Sequence, residues 1–196
     1  MTPFQQASQA LVESLIADTF YCAISQGLAD DLEARKRALG LYFDYSLHEA
    51  ERTGRCVLAP DPGLGAAAWL LPKTPEVQTA ESKAKAEYLE KVLGSKGHQT
   101  YDRIAGYMSP LVAQVVPPGA WYLSIIGISP RARGQGLGAS LLEGTLAEAS
   151  ARSVPCFLET FTPRNLRFYE RHGFARVAEH LEPTTGKPYV VMLRNS

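Results

Sequence analysis

The chain has 196 residues, 45% hydrophobic, 20% charged and 9% aromatic, a composition that predicts a folded soluble protein of one domain. Twenty Lys and Arg balance twenty Asp and Glu, so no excess charge points to a nucleic-acid partner or an anionic membrane. The three cysteines, Cys22, Cys56 and Cys156, form no CxxC pair, and no charged-then-apolar leader or run of about 20 apolar residues occurs, which predicts reduced thiols, a cytoplasmic location and no membrane span.

Phe4, Leu11, Val12, Leu15, Ile16 and Phe20 recur at helical spacing and predict a helix over 4–20. Leu32, Leu39, Tyr42, Phe43 and Leu47 predict a second over 31–52. Arg55 to Ala59 and Ala66 to Leu71 flank the turn Pro60-Asp61-Pro62-Gly63 and read as a hairpin. From Glu76 to about Val115 the chain is polar and broken at Gly94 and Gly97, which reads as two covering helices. Trp121 to Ile128 is apolar and β-branched, a buried central strand. A glycine-rich loop follows, then a helix with Leu137, Leu141, Leu142, Leu146 and Ala149 on one face. Cys156 to Glu159 is the next strand, and Asn165 to His172 a short helix with Asn165 as N-cap and Gly173 closing it. Phe174 to Glu182 and Pro188 to Leu193 are closing strands around Thr185-Gly186-Lys187. The order predicts an α/β (α+β) fold, a mixed central sheet flanked by helices.

The loop Arg131-Ala132-Arg133-Gly134-Gln135-Gly136-Leu137-Gly138 lies between a buried strand and a helix. Alternate glycines leave main-chain N–H groups unshielded, and the helix adds its free N–H groups and dipole. Arg131 and Arg133 supply further positive charge, so the loop suits a phosphate or pyrophosphate. Gly134-x-Gly136-x-x-Ala139 also matches the dinucleotide fingerprint, with Glu159 twenty residues on. Against that reading, five residues separate Ile128 from the first glycine, and only 37 residues follow Glu159. No Gly-Lys-Ser/Thr occurs, which excludes a Walker loop.

Arg133-Gly134-Gln135-Gly136-Leu137-Gly138 resembles the cofactor loop of the GNAT superfamily of N-acetyltransferases, Gln/Arg-x-x-Gly-x-Gly/Ala, and Ile126-Gly127-Ile128-Ser129-Pro130 looks like the strand that precedes it. Asn165 to Phe174 is similar to that family's second signature, Asn-x-x-x-Tyr-x-x-x-Gly-Phe. Trp121-Tyr122-Leu123, Phe157 to Thr160 and Pro163 to Leu166 are similar to the puromycin N-acetyltransferases within it. The resemblance implies one N-acetyltransferase domain over 1–196, with a cofactor-binding half at about 119–176 and an acceptor-shaping half at 1–118. It also implies acetyl-CoA as cofactor and direct transfer to a small-molecule or peptidyl amine. The main chain of Ile126, Gly127 and Ile128 would pair with the pantetheine arm, and Asn165 would contact it. A homodimer is compatible with the sequence, and a non-catalytic acyl-CoA-binding module is the alternative function.

Acetyl transfer needs the thioester held beside the amine, a proton taken from the amine and a proton given to the thiolate. Tyr169, at the signature tyrosine, is the candidate acid, because a phenol of pKa near ~10 still carries its proton at neutral pH. Glu159, at a strand end bordering the cleft, is the candidate base; a solvated charge or a partner of Arg164 is the plain alternative. His48, His98, His172 and His180 lack metal-ligand spacing, so no metal is expected. Trp69, Tyr88, Tyr101 and Tyr107 are candidates to line an acceptor pocket, and ordinary packing explains them equally well.

Overall fold

A computed structural model describes residues 1–195. Six strands form one sheet in the order β1-β2-β3-β4-β6-β5: β1 Gly54–Leu58, β2 Gly65–Leu70, β3 Trp121–Ile128, β4 Cys156–Thr160, β5 Ala175–Glu182 and β6 Lys187–Arg194. Only the β3–β4 pair is parallel, so the expected mixed sheet is present. Helices α1 (Pro3–Leu15), α2 (Thr19–Ile24), α3 (Leu32–Thr53) and α4 (Pro75–Val112) supply the core on one face. Helices α5 (Leu137–Ala151) and α6 (Leu166–Arg171) supply it on the other. Strand alternation serves both layers. Ala66, Ala68, Tyr189 and Val191 face the first, whereas Ala67, Trp69, Val190 and Met192 face the second. Covering both faces explains why β2, β3 and β6 read as nearly unbroken apolar runs.

Two breaks differ from the sequence expectation. The helix expected over 4–20 ends at Leu15, because Asp18 caps a new helix: its Oδ1 accepts the Phe20 N–H at 3.0 Å. In α4 the kink lies at Gly94 alone, where φ is 70°. Gly97 stays helical and buried, and a Cβ there would stand 2.6 Å from the Ile24 carbonyl oxygen.

The sheet is open where function needs space. β3 pairs with β4 only at Trp121↔Cys156 and Tyr122↔Phe157, and beyond that the two strands diverge. On its other edge β3 pairs with β2 throughout, with Ser124 bulged where the register shifts between Ala68 and Trp69. The extra residue turns the strand over: Leu123 faces the second layer, yet Ile125 faces the first.

Candidate active site

The gap between β3 and β4 opens into two cavities that meet. The first, of about 730 Å³, runs from Ile126–Ile128 along the glycine loop to α6. The second, of about 250 Å³, lies under α4 between Tyr122, Glu159 and Tyr101. Leu15, Asp18, Ile126, Asn165 and Tyr169 line both, so the junction is at these five residues.

At the far end of the first cavity the chain makes a short 3₁₀ turn at Pro130–Ala132 and then takes positive φ at Gly134 (78°) and Gly136 (79°) before α5. Left-handed backbone at two positions costs glycine nothing and would cost a side chain about 1–2 kcal/mol each. Gly136 leads α5 without any side-chain cap. Among the described residues, no protein acceptor takes the main-chain N–H of residues 134–138. A helix N-terminus with five free donors and open space above Gly134 and Gly136 has the chemistry to receive a phosphate group, while Gly138 lies against the Phe168 ring. Arg133 lines the cavity beside it, with Arg164 and Arg171 across the cleft. Arg131 does not join them. Its guanidinium donates to the Gly63 carbonyl at 2.9 Å and ties the loop to the β1–β2 turn. Gln135 also points away, its amide reaching the Arg131 carbonyl at 3.4 Å.

Between loop and junction, the free edge of β3 faces the cleft. The Ser129 N–H donates to Leu64 at 2.9 Å, toward the β2 side, so strand alternation turns the main-chain groups of Ile128 and Ile126 toward the gap. Gly127 lies between them, with the Leu11 side chain 2.8 Å from where a Cβ would stand.

Tyr169 projects from α6 to the junction and is only 6% exposed. Burial, reinforced by the Asp18 charge, pushes its phenol well above the ordinary 10, so it stays protonated through neutral and mildly basic pH. Asn165 lines both cavities but does not cap α6: its backbone is already helical, and a 3₁₀ turn at Pro163–Asn165 leads into the helix. Its side chain is therefore not committed to the helix end. Glu159 lies within β4, opposite Val191, and faces the second cavity. Burial pushes its carboxyl up to about 7, against a partial offset from the Tyr122 hydroxyl. It is neither solvated nor paired with Arg164, whose charge acts instead on Asp18.

Asp18 was not legible as a site residue. Its Oδ2 accepts the Thr162 hydroxyl at 3.0 Å, which ties the α1–α2 break to the loop after β4 and closes one end of the junction. Of the four aromatic candidates only Tyr101 lines the second cavity. Trp69 is fully buried in the opposite layer, Tyr88 stacks on Tyr45, and Tyr107 is exposed. The second-cavity aromatics Phe20, Tyr21, Tyr42 and Tyr122, which sequence reading missed, come from two helices and a strand with no shared motif. No cysteine lines either cavity, and burial raises Cys56 to about 12 and Cys156 to about 11.

A mixed sheet split at its parallel pair, with an amide cradle at one end of the split, fits the acyltransferase fold that the sequence resemblance implies. Consistent with it, residues 86–176, just under half of the chain, match the family model described as Acetyltransferase (GNAT) domain, a match that supports an acyltransferase. A solved structure from Corynebacterium glutamicum, described as histone acetyltransferase HPA2 and related acetyltransferase, shares 20% identity at a TM-score of 0.65, covering 98% of this chain and 91% of that one. Arylalkylamine N-acetyltransferase 2 from Aedes aegypti shares 13% identity at 0.64, covering 98% and 94%. At these identities the two structures establish the fold. Among the described residues no helix is long and apolar enough to cross a membrane.

Proposed function

We propose that the protein transfers an acetyl group from acetyl-CoA to the amine of a small molecule held in the second cavity, in a direct ternary complex. The observation that carries this reading is the meeting of two cavities at Tyr169, one of them ending on five unpaired amides. Residues 134–138, with Arg133, bind the pyrophosphate, and the exposed edge at Ile126 and Ile128 aligns the pantetheine arm as a further strand would. Asn165 contacts the pantetheine. Tyr169 donates a proton to the departing thiolate, and Glu159, directly or through water, accepts one from the amine. Transfer is direct, because no thiol reaches the junction to carry an acyl group. Residues 1–118 and 119–176 divide the work, the first shaping the acceptor cavity and the second holding the donor, within a single domain. The likeness to puromycin N-acetyltransferases makes amino-nucleosides one class of acceptor to assay.

Titration calorimetry with acetyl-CoA tests the donor assignment, and CoA release over a panel of amines tests transfer. Absence of binding at millimolar acetyl-CoA would end the reading. Binding of CoA without transfer to any amine would favour a sensing module instead.

A further inference from the structure

The second cavity carries three ionisable carboxylate or ammonium side chains, Asp18, Glu159 and Lys85, in a wall otherwise mostly aromatic and aliphatic, with Ser109, Ser124, Thr160 and Asn165 its uncharged polar members. Asp18 has both oxygens engaged, by the Phe20 N–H and the Thr162 hydroxyl. Lys85 is different. It reaches in from α4, its side chain 14% exposed, and its Nζ donates to Glu49 Oε2 at 3.1 Å. Glu49 is already paired, because its Oε1 accepts from Lys73 Nζ at 3.2 Å. Two ammonium groups share one carboxylate, which leaves one uncompensated positive charge in a nearly buried cluster. Lys73 does not line the cavity, so the surplus opens into it at Lys85.

The hydrogen-bond count agrees. An ammonium has three donors, and among the described residues Glu49 is the only protein acceptor Lys85 has. Below it the ring of Tyr101 lies 5.8 Å from Nζ, a contact that steadies a cation without taking a hydrogen bond. A surplus buried charge with two free donors costs stability that a methionine of the same length would not. Such a cost is sensible where a ligand supplies the missing anion. Lys85 enters the cavity from α4 and Glu159 from β4, so the two stand on different walls of it. The rings of Phe20, Tyr21, Tyr101 and Tyr122 fill the wall around them.

We infer that the acceptor is a primary amine whose ring-sized apolar body carries a carboxylate, with the amine at Tyr169 and Glu159 and the acid bound by Lys85. This rests on the acetyl-transfer reading and narrows it to a substrate class. Lys85 is then the residue that selects acid-bearing amines, through a charge-assisted hydrogen bond in a low-dielectric site.

The test uses three matched pairs of increasing amine-to-acid spacing: phenylalanine, 4-(aminomethyl)benzoate and 4-(2-aminoethyl)benzoate, each against its neutral amide. Acetyl-CoA binding is measured in parallel by calorimetry. Wild-type protein should prefer the acid in at least one pair by about tenfold or more in kcat/KM. Lys85→Met should cut that preference to within about twofold, chiefly by lowering kcat/KM for the acid, and Lys85→Arg should retain it. Lys85→Met leaves Glu49 and Lys73 as a balanced pair, so the fold survives, which its thermal midpoint checks. Equal use of acid and amide in all three pairs, or a preference that persists in Lys85→Met, overturns the assignment. If acetyl-CoA binds and none of the six amines is acetylated, the acceptor class is wrong while the donor site stands. If acetyl-CoA does not bind, the transferase reading fails and this inference falls with it.

Discussion

Replacing Glu159 with Gln isolates the proposed base without changing the volume of the cavity wall. Burial raises the carboxyl from the ordinary 4.5 to about 7, which corresponds to roughly 3 kcal/mol of preference for the protonated form in the folded protein. The ionised fraction is then about a tenth at pH 6, half at pH 7 and nine-tenths at pH 8. Under saturating substrates, kcat should climb about fivefold from pH 6 to pH 7, approach about tenfold per pH unit below pH 6, and level off above about pH 8. No descending limb is expected up to pH 9, because Tyr169 keeps its proton. Glu159→Gln should lower the plateau by about 10²-fold or more and flatten the rise. The stability consequence has the opposite pH sense. Because the folded-state value lies above the unfolded one, this carboxyl is most favourable to folding below about pH 4.5, and that contribution is lost as pH rises to about 7. Glu159→Gln should therefore be more stable than wild type at pH 8, by at most about 3 kcal/mol, and no more stable at pH 4. Stopped assays of CoA thiol release from pH 5 to 9, with chemical denaturation at pH 4 and 8, check both. A kcat profile with no inflection between pH 6 and 8, or a Gln variant that keeps one, refutes the role of Glu159.

Tyr169→Phe should reduce turnover about tenfold or more with acetyl-CoA affinity near that of wild type, read by rapid kinetics and calorimetry; unchanged turnover removes Tyr169 from the mechanism. Gly136→Val should weaken acetyl-CoA binding at least about tenfold, since a β-branched residue at φ 79° is strained and its methyls enter the phosphate cradle, and calorimetry checks this. Asp18→Ala removes a helix cap and the tie to Thr162 together, and should cost about 1–3 kcal/mol in denaturant unfolding.

Much of the fold was legible because it rests on local periodicity. The apolar run Trp121–Ile128, the glycine loop and the one-sided leucines after it are short-range patterns, and each became β3, the amide cradle or α5. Where a tertiary contact competed with local preference, reading failed. Asn165 has the chemistry of a cap, yet the preceding 3₁₀ turn makes a cap unnecessary and its side chain lines the cleft. Arg131 has the charge to bind phosphate, yet the Gly63 carbonyl, 68 residues away in sequence, claims it. Helix signals ran through Ile16 and Ala17, and only the Asp18 cap divides them.

Sequence alone determined the loop proposed to hold the donor, because an amide cradle is built from consecutive main-chain groups and needs only glycines in the right order. The cavity proposed to hold the acceptor was decided by tertiary structure. Tyr101 and Lys85 from α4, Phe20 and Tyr21 from α2, and Tyr122 and Glu159 from adjacent strands are scattered along more than half the chain and carry no common spacing. Side-chain recognition of this kind depends on which faces meet across the sheet, and burial then sets the charge states that chemistry would use.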